Sequence, residues 1–269
     1  MTERQPVSID HPLLDPYRDL PRGGADRDSP LFVAEGRFVV ERLLESDFET
    51  VSIVVGDQAP RSFVENLPEG IPIVRLPRGD VSRLVGFRFH SGILACGRRR
   101  RVEDTGVLAG IADRSTESRS TVIVCPFTVL PENLGAIFRL ARGFGVDAIV
   151  AGQQGADPFA RRTIRVSMGN VFFVPVVQPD SIAASLRCLR EERGYRLLAA
   201  TTDAATAVPL PMPRPAPRIA IVLGNEGQGI EPALLGICHD RITVPLAGHT
   251  DSLNVSTALA IMLYQFSQK

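Results

Sequence analysis

Three segments in the second half of the chain place glycines and polar side chains at the ends of apolar runs. They read N-L-G-A-I-F-R at residues 133–139, I-V-L-G-N-E-G-Q-G-I at residues 221–230, and V-P-L at residues 244–246 followed by S-L-N-V-S at residues 252–256. Glycine lets a ligand approach backbone groups closely, and ligands of open α/β sheets gather at the carboxyl ends of strands. Each of the three segments is therefore a candidate for contacting a polar ligand.

Each segment also has a simpler interpretation, which the residues alone leave open. The G-N-E-G-Q-G run at residues 224–229 is compatible with an ordinary glycine turn, and it comes too late in the chain for a dinucleotide-binding fingerprint. Ser252 and Asn254 are suited to capping a helix as well as to binding a polar ligand, and both uses can coexist. Arg139, on a predicted helix, is compatible with a solvated side chain.

The elements that would position these segments alternate between strands and helices. Residues 1–30 are predicted to form an extended arm, residues 31–111 a small α/β domain, and residues 112–120 a polar linker. Beyond the linker, helices are predicted at residues 133–144, 159–168, 181–193 and 255–265, with Asn133 capping the first, and a strand at residues 171–177. Such alternation predicts an α/β fold with a mostly parallel sheet.

Composition argues against several other classes of protein. The formal net charge is zero, which gives no signal for nucleic acid. The four cysteines form no C-x-x-C pair, which argues against a zinc site and a disulfide framework and favours a reducing cytoplasm. No apolar run reaches the roughly 18 residues that span a bilayer, and the N-terminus does not resemble a secretory signal. The four histidines have no metal-ligand spacing. We therefore expect a cytoplasmic protein with no membrane segment and no metal.

In their order and separation, the three segments resemble the signature motifs of the SpoU (TrmH-type) family of RNA ribose 2'-O-methyltransferases, within the SPOUT superfamily. The resemblance extends from about residue 121 to the C-terminus and implies a methyltransferase domain at residues 121–269. It implies a parallel sheet with a deep trefoil knot, preceded by a small α/β ribosomal-protein-like domain that binds RNA. Ala34-Glu35-Gly36 looks like the opening of that first domain. Val244 and Leu246 are conservative departures from the Ile-Pro-Met common in the family.

The resemblance also implies roles for individual residues. S-adenosyl-L-methionine is the expected cofactor, and the residues expected to bind it are Leu223, Gly224, Asn225, Gly227, Ile242, Val244, Pro245, Leu246, Leu253 and Val255. The residues expected to act on the substrate are Asn133, Arg139, Glu226, Ser252 and Asn254. Because family members act as homodimers with the last helix in the interface, a homodimer is expected.

The expected reaction asks little of the side chains. An arginine is a poor base, since its pKa lies above about 12, so Arg139 is expected to bind the target phosphate and stabilise developing charge. The proton of the ribose hydroxyl would pass to that phosphate or to water. Arg161, Arg162 and Arg165 lie close together on one predicted helix, and they suit either RNA phosphates or a solvated face.

Three functions of different classes remain for comparison. The leading one is an RNA (ribose-2'-O-)-methyltransferase that acts on structured RNA, rRNA rather than tRNA. The second is a catalytically inactive knotted RNA-binding or assembly protein, which the intact set of substrate-facing residues disfavours. The third is a nucleotide-binding oxidoreductase, which the late position of the glycine motif disfavours.

Overall fold

The structure, a computed structural model, describes residues 8–18, 20, 27, 29–100, 119–225, 227–248 and 252–267. The chain divides into two compact units. The first combines Met1–Arg101 with Phe159–Phe173, and the second combines Val102–Pro158 with Val174–Lys269. Among the described residues, no helix has both the length and the apolar composition needed to cross a membrane.

The first unit is built on a four-stranded sheet. Its strands are β1 (Leu31–Glu35), β2 (Thr50–Gly56), β3 (Ile73–Leu76) and β4 (Ile93–Arg98), in the order β1-β4-β2-β3. Strand β4 is antiparallel to β1 and β2, whereas β3 is parallel to β2. The helices between the strands are α1 (Arg37–Glu45), α2 (Arg61–Glu65) and α3 (Arg78–Val85). In α1 the apolar residues Val39, Val40 and Leu43 are buried, whereas Phe38 is 65% exposed.

Part of the predicted N-terminal arm packs into this first unit. Residues Pro12–Tyr17 form a short 3₁₀ helix, and the side chains of Leu14 and Tyr17 are fully buried. The Tyr17 hydroxyl donates a hydrogen bond of 2.9 Å to the carbonyl oxygen of Ser52 on β2. An extended arm is therefore the wrong description for this stretch, because two large side chains anchor it in the core.

The second unit is built on a seven-stranded sheet in which every paired neighbour is parallel. The order is β7-β6-β5-β10-β8-β11-β9, for strands β5 (Ser120–Cys125), β6 (Ala148–Ala151), β7 (Val176–Val177), β8 (Arg196–Ala200), β9 (Val208–Pro209), β10 (Arg218–Val222) and β11 (Asp240–Thr243). Val122 and Ile123 point to opposite faces of β5 and are both fully buried, so both faces are covered. The predicted parallel α/β sheet is confirmed, and the trefoil knot stays a prediction.

Helix α4 (Pro131–Gly143) follows β5 and carries the first of the three sequence segments. It begins two residues earlier than the predicted cap at Asn133, and Leu130 occupies the N-cap position instead. The reason is local, since a proline at the first helical position has its φ angle already fixed for a helix and has no N–H to leave unpaired. Asn133 therefore lies inside the first turn.

The segment Phe159–Phe173 differs most from its prediction. Helix α5 (Arg161–Val166) is shorter than the helix predicted at residues 159–168. A 3₁₀ helix at Asn170–Phe172 covers the start of the strand predicted at residues 171–177, of which only Val176–Val177 forms a strand. The segment packs within the first unit, where the rings of Phe159 and Phe172 both stack at 5.4 Å from that of Phe32. The sequence predicts that this segment belongs to the methyltransferase domain at residues 121–269, whereas in the structure it belongs to the first unit. The linker predicted at residues 112–120 lies mostly outside the described residues.

The remaining helices belong to the second unit. They are α6 (Ile182–Arg187), which continues as a π-helix over Cys188–Glu192, then α7 (Pro232–Leu235) and α8 (Val255–Ser267). Helix α8 packs against α4 and buries Leu259, Met262, Leu263 and Phe266. Its N-terminus carries the last of the three sequence segments.

Candidate active site

A cleft of about 930 Å³ opens at the carboxyl edge of the parallel sheet. The ends of β8, β10 and β11, the start of α4 and the start of α8 line it. Twelve residues predicted to bind cofactor or act on substrate lie in this lining, namely Asn133, Leu223, Gly224, Asn225, Gly227, Val244, Pro245, Leu246, Ser252, Leu253, Asn254 and Val255. The three sequence segments therefore come together in one place, as their positions after strands predict.

The glycine loop after β10 is a tight turn held by its own backbone. Asn225 and Gly229 exchange two backbone hydrogen bonds of 2.8 and 2.9 Å. The Asn225 side-chain oxygen accepts from the backbone N–H groups of Gly227 at 2.7 Å and Gln228 at 3.1 Å. A Cβ atom on Gly224 would lie 2.8 Å from the backbone of Gly229, so only glycine fits there without a shift.

An amide pair joins the first and third segments inside the cleft. The Asn254 side-chain nitrogen donates to the side-chain oxygen of Asn133 at 2.9 Å, and Asn133 is only 5% exposed. The Asn254 oxygen accepts from the backbone N–H of Ser256 at 2.9 Å and from its hydroxyl at 2.6 Å. Asn254 thus caps α8 while its other end faces the cleft, so the capping and the site interpretations are compatible.

Two predicted residues, Arg139 and Ile242, are described but do not line the cleft. Arg139 is exposed on α4 and is not among the described residues that line the cleft. Six positions separate it from Asn133, which is about 240° around a helix, so the two side chains point to different faces. Ile242 is fully buried under the cleft rather than in its lining, and Glu226 lies outside the described residues.

The arginines predicted to contact RNA occupy helix α5 in the first unit. Arg161 and Arg165 both form ion pairs with Glu35, which is only 8% exposed. The Arg161 guanidinium also lies over the ring of Phe87, 4.8 Å from its centroid. Both arginines therefore share one nearly buried carboxylate, while the Arg165 side chain remains 56% exposed, and their contact with RNA stays a prediction. Arg162 belongs to the same helix, and its RNA-binding role stays a prediction.

The outer wall of the cleft was missed by the sequence interpretation. It is formed by Ala200–Ala204 after β8 and by Arg241 on β11. The pKa of Asp203 is held below its usual range, first by the hydrogen bond that the Thr206 hydroxyl donates to it at 2.6 Å. Arg241 donates to the same hydroxyl at 3.0 Å. The signal that could have found this wall is the T-T-D run at residues 201–203, directly after an apolar strand.

No group of three or more His, Cys, Asp or Glu side chains positioned to hold a metal ion occurs in the part of the chain that the structure describes. The polar groups of the cleft are amides, hydroxyls and backbone N–H groups, together with the Asp203 carboxylate and the Arg241 guanidinium. Such groups suit an organic ligand with several polar atoms.

The fold and the cleft define an α/β protein with a polar site at the carboxyl edge of a parallel sheet. A sequence model of the SpoU rRNA Methylase family matches residues 120–264, more than half of the chain, and the chain belongs to this family. An uncharacterized tRNA/rRNA methyltransferase of Mycobacterium bovis is 38% identical over 263 residues, which cover 95% of this chain and 88% of that protein. A 23S rRNA (guanosine-2'-O-)-methyltransferase of Acinetobacter baylyi is 25% identical, over 84% of this chain and 92% of that protein.

Two solved structures share the fold over nearly the whole chain. An AdoMet-bound rRNA methyltransferase from Sinorhizobium meliloti has a TM-score of 0.79 at 22% identity, covering 97% of this chain and 96% of that one. The SpoU methyltransferase AviRb from Streptomyces viridochromogenes, in complex with AdoMet, has a TM-score of 0.78 at 17% identity, covering 95% and 97%. At these identities the likeness establishes the fold alone.

Proposed function

We propose that this chain transfers a methyl group from S-adenosyl-L-methionine to a ribose 2'-hydroxyl of structured RNA, and that the RNA is rRNA. The observation that carries the proposal is the meeting of three distant segments in one cleft, where Asn254 donates to Asn133 at 2.9 Å. Membership of the SpoU rRNA Methylase family supports an RNA methyltransferase. The name of the Acinetobacter baylyi relative supports the ribose hydroxyl as acceptor.

The cleft fits the proposed cofactor in size and in chemistry. Its volume of about 930 Å³ lies within the roughly 300–1,000 Å³ of small-molecule sites. Leu253 and Val255 offer apolar surface, whereas Asn225 and Ser252 offer polar atoms. Gly224 has no side chain, so the loop can close tightly behind the ligand. The residues proposed to hold the cofactor are those of the glycine loop, the 244–246 segment and the 252–255 segment.

The side chains around the cleft would bind and orient the RNA rather than react with it. When bound, the cofactor supplies a methyl group that its sulfonium already activates. Asn133, Ser252 and Asn254 would orient the ribose, and in-line positioning then contributes most of the rate enhancement. Arg139, which is exposed outside this cleft, would bind the target phosphate and so help to hold the ribose in position for transfer. The hydroxyl proton would pass to that phosphate or to water.

A homodimer through helices α4 and α8 is part of the proposal. Helix α8 keeps Ile261 39% exposed and Tyr264 62% exposed, and Phe144 at the end of α4 is 36% exposed. Large apolar side chains that share two packed helices are typical of a surface that a second copy covers. Tyr264→Glu should therefore convert a dimer to a monomer in analytical ultracentrifugation. A wild-type protein that sediments as a monomer at micromolar concentration would contradict this part.

The function is tested by binding and by methyl transfer. Calorimetry should detect S-adenosyl-L-methionine but not NADH, and Leu253→Arg, which fills the cleft, should abolish the binding. Purified rRNA and tRNA from cells that lack this chain should then be incubated with the protein and labelled cofactor. Mapping of ribose-methylated nucleotides should find one new site in rRNA. A folded protein that binds the cofactor but methylates neither RNA would favour the inactive RNA-binding alternative.

A further inference from the structure

The loop between β5 and α4 presents an aromatic ring beside the cleft. Phe127 is 38% exposed, although it lies only two residues after a strand whose side chains are almost all buried. The Asn225 side chain, in the glycine loop of the cleft, donates to the Phe127 carbonyl oxygen at 3.3 Å. Leu130, three residues further along, lines the cleft itself. The Phe127 backbone therefore contacts the wall of the cleft, and its exposed side chain belongs to the loop that leads into the lining.

Two glycines in the loop after β6 hold the backbone on either side of this ring. A Cβ atom on Gly152 would lie 1.8 Å from the carbonyl oxygen of Pro126, and one on Gly155 would lie 2.8 Å from that of Thr128. The backbone N–H of Ala156 donates to the Thr128 carbonyl at 2.6 Å, and Thr128 is only 3% exposed. Backbones packed this closely cannot shift independently, so the backbone that carries the ring is held in place before any ligand arrives.

We propose that the Phe127 ring stacks on an unpaired base of the substrate RNA beside the reacting ribose, and this rests on the proposed function. Proteins bind RNA with specificity mainly at unpaired nucleotides, whose bases stack on aromatic side chains. Val129 and Leu130 are also exposed in this loop, but they have no flat π-surface to offer. A ring on a fixed backbone loses little conformational freedom on stacking, so the contact adds directly to RNA affinity.

Steady-state methylation of unmodified rRNA separates this role from a structural one. Phe127→Ala should raise the KM for rRNA by about tenfold or more, the effect of losing one base–aromatic stack. The cofactor affinity and the melting temperature should stay near the wild-type values. Phe127→Tyr should restore the KM, and the matched control Val129→Ala should leave it unchanged. An unaltered KM in Phe127→Ala, or a loss that Phe127→Tyr does not rescue, would overturn the proposal.

A spectroscopic arm tests stacking directly. The chain contains no tryptophan, so Phe127→Trp places a single fluorophore at the proposed contact. A single-stranded RNA oligonucleotide should quench its emission, whereas a fully paired RNA duplex should not, and Val129→Trp should respond to neither. If single-stranded RNA does not change the emission, the stacking proposal is overturned. It is also overturned if Phe127→Ala is a monomer while the wild type is a dimer, because the ring would then belong to a contact between copies. If the wild-type protein methylates no RNA, the proposed function is wrong. The fluorescence measurement would still show whether an unpaired base stacks on the ring.

Discussion

The two edges of the seven-stranded sheet are built from the same strands but in different ways. At the carboxyl edge, β10 ends in a glycine loop and β11 in the 244–246 segment, and both line the cleft. At the amino edge, Arg196 on β8 forms a salt bridge of 2.6 Å with Asp240 on β11, which lowers the pKa of Asp240. The Ser120 hydroxyl donates to Asp147 at 2.8 Å. One edge consists of ligand-facing loops, the other of side chains that pair with each other.

Arg214 makes the amino edge especially well connected. Its guanidinium donates to the carbonyl oxygens of Ser120 at 2.6 Å and Pro217 at 2.8 Å, and to that of Phe266 near the end of α8 at 3.4 Å. It thus joins the starts of β5 and β10 to the last helix. The amino edge therefore contributes contacts that hold the strands together, whereas the carboxyl edge carries glycines and exposed polar groups. Substitutions at the two edges should therefore have separable effects.

The largest effect should come from Arg139, on the helix α4 that follows the carboxyl end of β5. Arg139→Ala should reduce single-turnover methyl transfer by about 10²–10³, because the preorganised group that binds the target phosphate is lost. Cofactor affinity should stay within a few-fold, since Arg139 is exposed outside the cleft lining. Arg139→Lys should rescue little, because lysine lacks the bidentate fork. The control is Arg142→Ala, an exposed arginine on the same helix. Equal activities of Arg139→Ala and this control would move the catalytic role to Asn254 or Glu226.

The second effect separates two glycines of one loop. Gly224→Ala introduces a Cβ 2.8 Å from the backbone of Gly229, so the loop must shift, at a cost of about 1–3 kcal/mol. Expressed in cofactor affinity this is about 5- to 150-fold, measured by calorimetry. Gly227→Ala is the matched control, because its added Cβ would meet only the Asn225 side chain at 3.5 Å. If both variants bind the cofactor as tightly as the wild type, the loop tolerates a side chain at either glycine.

Local patterns were sufficient for the framework of the site. Apolar runs followed by glycine or by polar residues predicted where the strands of the sheet end, and the cleft lies at those ends. The N-cap of α4 lies at Leu130, three residues before the predicted cap at Asn133, because Pro131 is a favourable first helical residue. Leu14 and Tyr17 were missed because they stand alone among Asp, Pro and Arg residues, whose composition suggests an arm.

Contacts between distant residues could not be predicted from the residues alone. The Asn133–Asn254 pair spans 121 positions, and the Arg161–Glu35 pair spans 126. No periodicity relates such positions, because the pairing depends on how complete elements pack. The family resemblance placed Asn133 and Asn254 in one site, but nothing similar indicated that Glu35 would hold two arginines of α5. The arginine helix was therefore interpreted as an RNA contact.

Substitution of Arg214, at the amino edge, should change the stability of the protein but not its cofactor affinity. Arg214→Ala removes the guanidinium that donates to two partly buried carbonyl oxygens, those of Ser120 and Phe266, and it should lower the free energy of unfolding by about 1–2 kcal/mol. At a temperature far below the melting transition, cofactor affinity should be that of the wild type. Chemical denaturation followed by circular dichroism gives the first quantity and calorimetry the second, with the exposed Arg187→Ala on α6 as control. If Arg214→Ala has normal stability but binds the cofactor more weakly, the two edges do not have separate roles in stability and binding.

The smallest effect concerns His239 at the amino edge. The backbone N–H of Leu197 donates to its Nδ1 at 3.0 Å, which requires a neutral ring nitrogen. Burial, followed by the nearby Arg190 and Arg196, lowers the pKa of His239 in spite of Asp240. Since the unfolded chain binds this proton more readily, its contribution to stability is fully present above about pH 6.5 and is lost as pH falls toward the folded pKa. His239→Asn keeps an acceptor but cannot titrate, so it should lose less stability than the wild type between about pH 7.5 and 5.5 in urea unfolding. The control is His90→Asn in the first unit. If the control removes the same pH dependence, or His239→Asn leaves it intact, the histidine at this edge does not titrate with folding.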